Sequence, residues 1–155
     1  MINVIVVTHG EFGAYLVEAA EWIVGAQKEG VKVISVSSRL SVERLKNILR
    51  DSVRKDISED GIIFMTDMLG GTPTNAVLPF AKDIAKSAVI CGININMMVS
   101  AFSYRNSLTI DVLVKKILED GRKSICEVKS MLFSAKQPGG SAEPGSGKKQ
   151  EASKA

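Results

Sequence analysis

The chain contains a single histidine, His9, and only two cysteines, Cys91 and Cys126, far apart in apolar or strand-like runs. One imidazole and two thiols fall short of an ordinary closed zinc site. Two distant cysteines also exclude a disulfide framework and read as small buried hydrophobes. No apolar stretch approaches the ~20 residues of a transmembrane helix. The N-terminus lacks the basic region and small-residue cleavage site of a signal peptide, so the expected location is the cytoplasm with no membrane insertion. Aromatics are 5% of residues and the formal net charge is +3. No aromatic-interleaved basic patch occurs, so nucleic acid is not an expected partner. No acidic cluster is offered to a metal, and no cofactor motif is present; no G-x-G-x-x-G follows the first apolar run.

What the chain does have begins at Ile2–Gly10 (INVIVVTHG), a β-branched apolar run that ends at the sole histidine. Its length, composition and terminal glycine predict a fully buried strand. Glu11–Val24 then places Phe12, Tyr15, Leu16, Ala19, Trp22 and Ile23 at helical spacing and stops at Gly25, which predicts an amphipathic helix. Further strands are expected at Val31–Val36, Gly61–Thr66 and Ser87–Ile93. Helices are expected from Ser41, over Ala76–Lys86, from Asn94, and over Thr109–Glu119 with Gly121 as a stop. Pro79 fits only near the first turn of its helix. Lys123–Met131 (KSICEVKSM) alternates apolar and polar residues and predicts an edge strand with one wet face.

Strands alternating with helices predict an α/β fold: an open three-layer sandwich around a mostly parallel sheet. Residues 1–134 read as one domain. The segment 135–155 holds Gly, Ser, Pro, Lys and Glu with no large apolar residue, and reads as a disordered tail or linker.

With strand order 2-1-3-4, His9 and Asp67 end neighbouring parallel strands at the topological switch point, where ligands gather in such sheets. A carboxylate bonded to one imidazole nitrogen fixes the tautomer and leaves the other lone pair free, giving a nucleophile or proton carrier of defined direction. Gly70, Gly71 and Thr72 lie in the turn-rich segment Asp67–Asn75 (DMLGGTPTN), where exposed N–H groups form an anion nest. The start of the helix after His9 adds a favourable dipole. Together these residues point to an anion or phosphoryl site. A receiver-type reading with Asp67 as acceptor lacks the acidic pair after the first strand.

The stretches VIVVTHGEFGAYLVEAAEWIVG and IIFMTDMLGGTPTNA, supported by ICGININMM, resemble the enzyme IIA domains of the mannose family of the bacterial phosphoenolpyruvate-dependent sugar phosphotransferase system. The resemblance covers Ile2 to about Leu132. It implies a phosphoryl carrier that accepts phosphate from the phosphocarrier protein HPr on His9 and passes it to a histidine of an enzyme IIB component. Asp67 would orient the ring through Nδ1, leaving Nε2 to carry phosphate. Thr72, with Gly71, Gly70 and Gly10, would surround the phosphoryl group. The resemblance further implies a homodimer exchanging a last antiparallel strand, here Lys123–Met131. No IIB sequence follows before Ala155, so the IIB partner is expected on a separate chain. The alternative is a regulatory IIA-like module whose phosphorylation state is read by a partner.

Overall fold

The apolar run at the N-terminus is buried on both sides, which only a central strand allows. A computed structural model of the chain describes residues 1–56 and 58–133. Strand β1 (Asn3–His9) lies inside a four-stranded sheet with β2 (Val31–Val36), β3 (Ile62–Thr66) and β4 (Ser87–Cys91), in the order β2-β1-β3-β4. Every pairing is parallel, with Val7 opposite Ile34 on one side and Thr66 on the other. Successive side chains of a strand point to opposite faces, and the two cores follow that alternation. Val4, Val6, Ile63 and Met65 pack under helices α1 (Phe12–Val24), α4 (Ile95–Tyr104) and α5 (Ile110–Lys123). Ile5, Val7, Ile62 and Phe64 pack under α2 (Val42–Asp56) and α3 (Thr72–Lys82). Each fully buried side chain of this kind contributes about 1.5–3 kcal/mol. This is the open α/β sandwich expected, with helices on both faces.

Helix α1 presents a different face to the sheet from the one its aromatics suggested. Gly13, Val17 and Ala20 are the buried positions, while Tyr15 and Trp22 stand 68% and 86% exposed. The reason is clearance. A Cβ on Gly13 would lie 2.7 Å from Thr8 Oγ1 and 2.9 Å from Val6 Cγ1, so only small residues fit against β1 here.

Three boundaries also differ. Helix α3 begins at Thr72 rather than Ala76, with Pro73 in its first turn, where a missing N–H costs nothing. Pro79 therefore falls inside the helix. Helix α5 runs through Gly121 to Lys123, because Gly121 is where α5 passes against the Met97 side chain of α4. The predicted strand Lys123–Met131 is not formed: its start completes α5, and Val128–Phe133 forms a short helix, α6. An edge strand gains its hydrogen bonds only from a neighbour, whereas a helix supplies its own. Val128, Met131 and Leu132 also satisfy helical spacing.

The chain divides into two units, Met1–Ile125 and a piece from Cys126 onward, which holds α6. Cys126 is exposed and Cys91 half-buried, so neither is the fully buried residue expected. The expected tail, 135–155, and the boundary at 134 lie outside the described residues. No helix of the described residues is long and apolar enough to cross a membrane.

Candidate functional site

The parallel pairing of β1 with β3 brings the ends of both strands to one edge of the sheet, and His9 and Asp67 meet there. The His9 backbone N–H donates to Asp67 Oδ2 at 2.8 Å, and ring Nδ1 lies 2.9 Å from the same oxygen. An ionised carboxylate only accepts, so Nδ1 carries the proton and the Nε2 lone pair is left free. The His9 side chain is 45% exposed and that of Asp67 only 15%. Burial pushes the Asp67 carboxyl up, but the hydrogen bonds from the His9 backbone and ring, with the attraction of the ring when protonated, outweigh it and hold it below the usual carboxylate range. Oδ1 of Asp67 is buried and has no hydrogen-bond partner among the described residues.

The imidazole is bounded on another side by Gly71. A Cβ there would sit 2.9 Å from His9 Cε1 and 3.6 Å from Nε2. Gly71 directly precedes α3, so the helix N-terminus lies against the ring. The N–H groups of a first helical turn have no partner within the helix, and its dipole favours an anion. Thr72 is exposed and is the first residue of α3. Thr72 follows Gly71 directly, so the exposed imidazole and the start of α3 share this edge of the sheet.

Gly10 and Gly70 take positive φ, and the glycines make hydrogen bonds of their own within the fold. Gly10 turns the chain with φ +54° and donates its N–H to Val36 O at 2.9 Å. Gly70, at φ +76°, accepts from Asn75 Nδ2 at 2.9 Å, and Gly71 N–H donates to Met68 O at 3.2 Å. The Gly10 and Gly71 N–H groups are thus engaged within the fold.

Sequence reasoning passed over the threonines beneath the site. Thr74 Oγ1 donates to Met68 O at 2.7 Å and accepts from Thr66 Oγ1 at 2.8 Å, tying the Asp67 loop to the end of β3. Thr8 Oγ1 accepts the Gly13 N–H at 2.8 Å and ties α1 to β1. The available signal was a lone hydroxyl ending each apolar run, in VVT before His9 and FMT before Asp67. Ser37, Ser38 and Arg39 form an exposed turn closed by Leu40 N–H to Ser37 O, with no bond to His9 or Asp67.

Residues 3–118 match the family model described as the PTS system fructose IIA component. The chain belongs to that family. It is 30% identical over 130 residues to the mannose-specific EIIAB component of Escherichia coli K12, covering 83% of this chain but 40% of that protein. It is 25% identical over 117 residues to the fructose-specific EIIA component of Bacillus subtilis, covering 76% of this chain and 80% of that one. The crystal structure of the phosphotransferase system component EIIA from Streptococcus agalactiae superposes with a TM-score of 0.75 at 28% identity, covering 84% of this chain and 99% of that chain. The chain thus spans about two fifths of the length of the mannose-specific EIIAB component it matches.

Proposed function

We propose that His9 is a transiently phosphorylated carrier, taking a phosphoryl group from phospho-HPr and passing it to an enzyme IIB component. One observation carries this reading: Asp67 holds Nδ1 at 2.9 Å while the ring remains 45% exposed, which aims a free Nε2 lone pair outward. The lone pair attacks phosphorus, a P–N bond forms at Nε2, and the bond from phosphorus to the donor breaks with its electron pair. The phosphorylated ring is protonated at Nδ1 and cationic, and the Asp67 carboxylate stabilises it there. Thr72 and the α3 N-terminus face the phosphoryl oxygens. Gly10, Gly70 and Gly71 shape the cradle. The reverse sequence delivers the group to IIB. Catalysis is positioning and electrostatics, with no acid–base step and no metal or cofactor.

The reading includes a homodimer, because β4 is an outer strand whose second edge would accept an antiparallel strand from another copy. Residues 128–133 are helical in the single chain and would have to extend for that pairing.

The test is intact mass after incubation with phosphoenolpyruvate, enzyme I and HPr. One acid-labile phosphoryl group, absent in His9→Ala, is the expected result; label retained in that variant refutes the assignment. Transfer onward to purified IIB separates a carrier from a module that only reports its phosphorylation state.

A further inference from the structure

The helices on the two faces of the sheet differ in charge. On the side of α1, Glu11, Glu18 and Glu21 are the only charged residues between Gly10 and Gln27, and α4 has none. Helix α5, on the same side, carries both signs, and two of its cations are tied to its own carboxylates, Lys116 to Asp120 and Lys123 to Glu119. On the other side α2, which ends at Asp56, exposes Arg44, Lys46, Arg50, Arg54 and Lys55 against Glu43 and Asp51. Arg39 is exposed in the turn before it, and Lys82 is the sole charged residue of α3, which packs beside α2. None of these cations pairs with a carboxylate among the described residues; Arg50 donates instead to Asn47 Oδ1 at 2.7 Å.

Helix stability does not explain this arrangement. Lys46, Arg50 and Arg54 recur every fourth residue over about 12 Å at 1.5 Å per residue, and like charges at that spacing repel. Arg54 and Lys55, in the last turn, suit the helix dipole, but Arg44 in the first turn opposes it. The row of cations suits an external anion instead, and the apolar content of the face says which kind. A protein interface centres on buried aromatic or aliphatic anchors, yet α2 exposes one large apolar residue, Val42, at its first position. A lipid surface needs no such anchor, because anionic headgroups attract clustered lysines and arginines across a Debye length. The same surface repels the carboxylates of α1, so the polarity of the molecule selects one orientation. His9, at the strand ends between the two faces, stays open.

We propose that the α2 face docks on a membrane surface bearing anionic lipids, without insertion, and holds the sheet with α1 turned away from the lipid. The docking does not depend on phosphorylation of His9.

The experiment sediments the full chain with vesicles of phosphatidylcholine alone, or of phosphatidylcholine and phosphatidylglycerol in equal parts. Binding is expected only to the anionic vesicles, and it should vanish in about 1 M salt, where the Debye length falls to about 3 Å. Arg50→Glu/Arg54→Glu should weaken it about tenfold or more, and the milder Arg50→Gln/Arg54→Gln severalfold. Lys28→Glu/Lys115→Glu makes the same change in net charge at exposed positions away from α2 and should leave affinity within about twofold. Emission from Trp22, on the opposite face, should not shift. No binding to anionic vesicles, or binding indifferent to salt, overturns the proposal. So does undiminished binding by both α2 variants, which would assign the attraction to Lys136, Lys148, Lys149 and Lys154. An equal loss in the Lys28/Lys115 variant would reduce the effect to net charge and remove α2 from it. A blue shift of Trp22 would show α1 entering the lipid, and tighter binding to duplex DNA than to the vesicles would assign the face to nucleic acid; either result overturns the proposal.

Discussion

Replacing Asp67 with asparagine changes one atom and removes one charge, and the local geometry dictates the consequences. Asp67 Oδ2 accepts both the His9 backbone N–H and ring Nδ1–H, at 2.8 and 2.9 Å, while Oδ1 is buried without a partner among the described residues. An amide has two ways to sit. With its oxygen at the Oδ2 position it keeps both contacts but buries an NH₂ group where Oδ1 has no partner, costing about 1–3 kcal/mol. With its nitrogen there, it faces the His9 N–H as donor against donor and forces Nδ1 to accept. That moves the ring proton to Nε2 and removes the lone pair the carrier needs. Even in the first arrangement a charge-assisted bond becomes a neutral one, a loss of about 1–2 kcal/mol where the ring is cationic. Asp67→Asn should therefore slow single-turnover phosphorylation of His9 by about 5- to 30-fold. Because the chain has one histidine, nitrogen NMR of the imidazole reads its tautomer without ambiguity. An unaltered tautomer together with a transfer rate within twofold of wild type would refute the reasoning and reduce Asp67 to a loop residue.

Four further outcomes are expected. Gly71→Ala places a Cβ 2.9 Å from His9 Cε1, so the ring must move; phosphorylation should slow severalfold while the melting temperature changes little. Arg105 is buried and donates to Glu29 O at 2.6 Å and Gln27 Oε1 at 2.9 Å; Arg105→Met should cost about 1–3 kcal/mol in urea unfolding by stranding those acceptors. Gly121→Ala should cost about 1–3 kcal/mol by overpacking Met97, measured the same way. Because the Asp67 carboxyl is held below its ordinary range, its charge contributes full stability above the ordinary aspartate pKa and loses it as pH falls through the lowered folded value. The unfolding free-energy gap between wild type and Asp67→Asn should therefore close in acid, and a gap independent of pH would contradict the pairing.

The strands were legible because each is a short apolar run with a punctuating residue: INVIVVTHG, VKVISV, GIIFMT and SAVICGI each hold a strand close to where it was expected, the last ending at Cys91 rather than Ile93. His9 and Asp67 were legible for the same reason, since each follows such a run. Helix existence was also readable, but the orientation of α1 was not. Periodicity reports that apolar residues share an arc and is silent on which arc has room beneath it. The start of α3 was hidden by GGTP, a sequence that reads as a loop until Pro73 is seen occupying a first helical turn.

Local sequence by itself determined the α/β alternation, the residues ending β1 and β3, and the absence of a long membrane-crossing run. Those properties depend on side-chain volume, branching and polarity over a few neighbouring positions. Only the tertiary structure decided that one oxygen of Asp67 serves two donors of His9, that Gly71 borders the imidazole, and that the aromatics of α1 face water. Each of these depends on distances between segments remote in the chain, set by how closely a helix can approach a sheet.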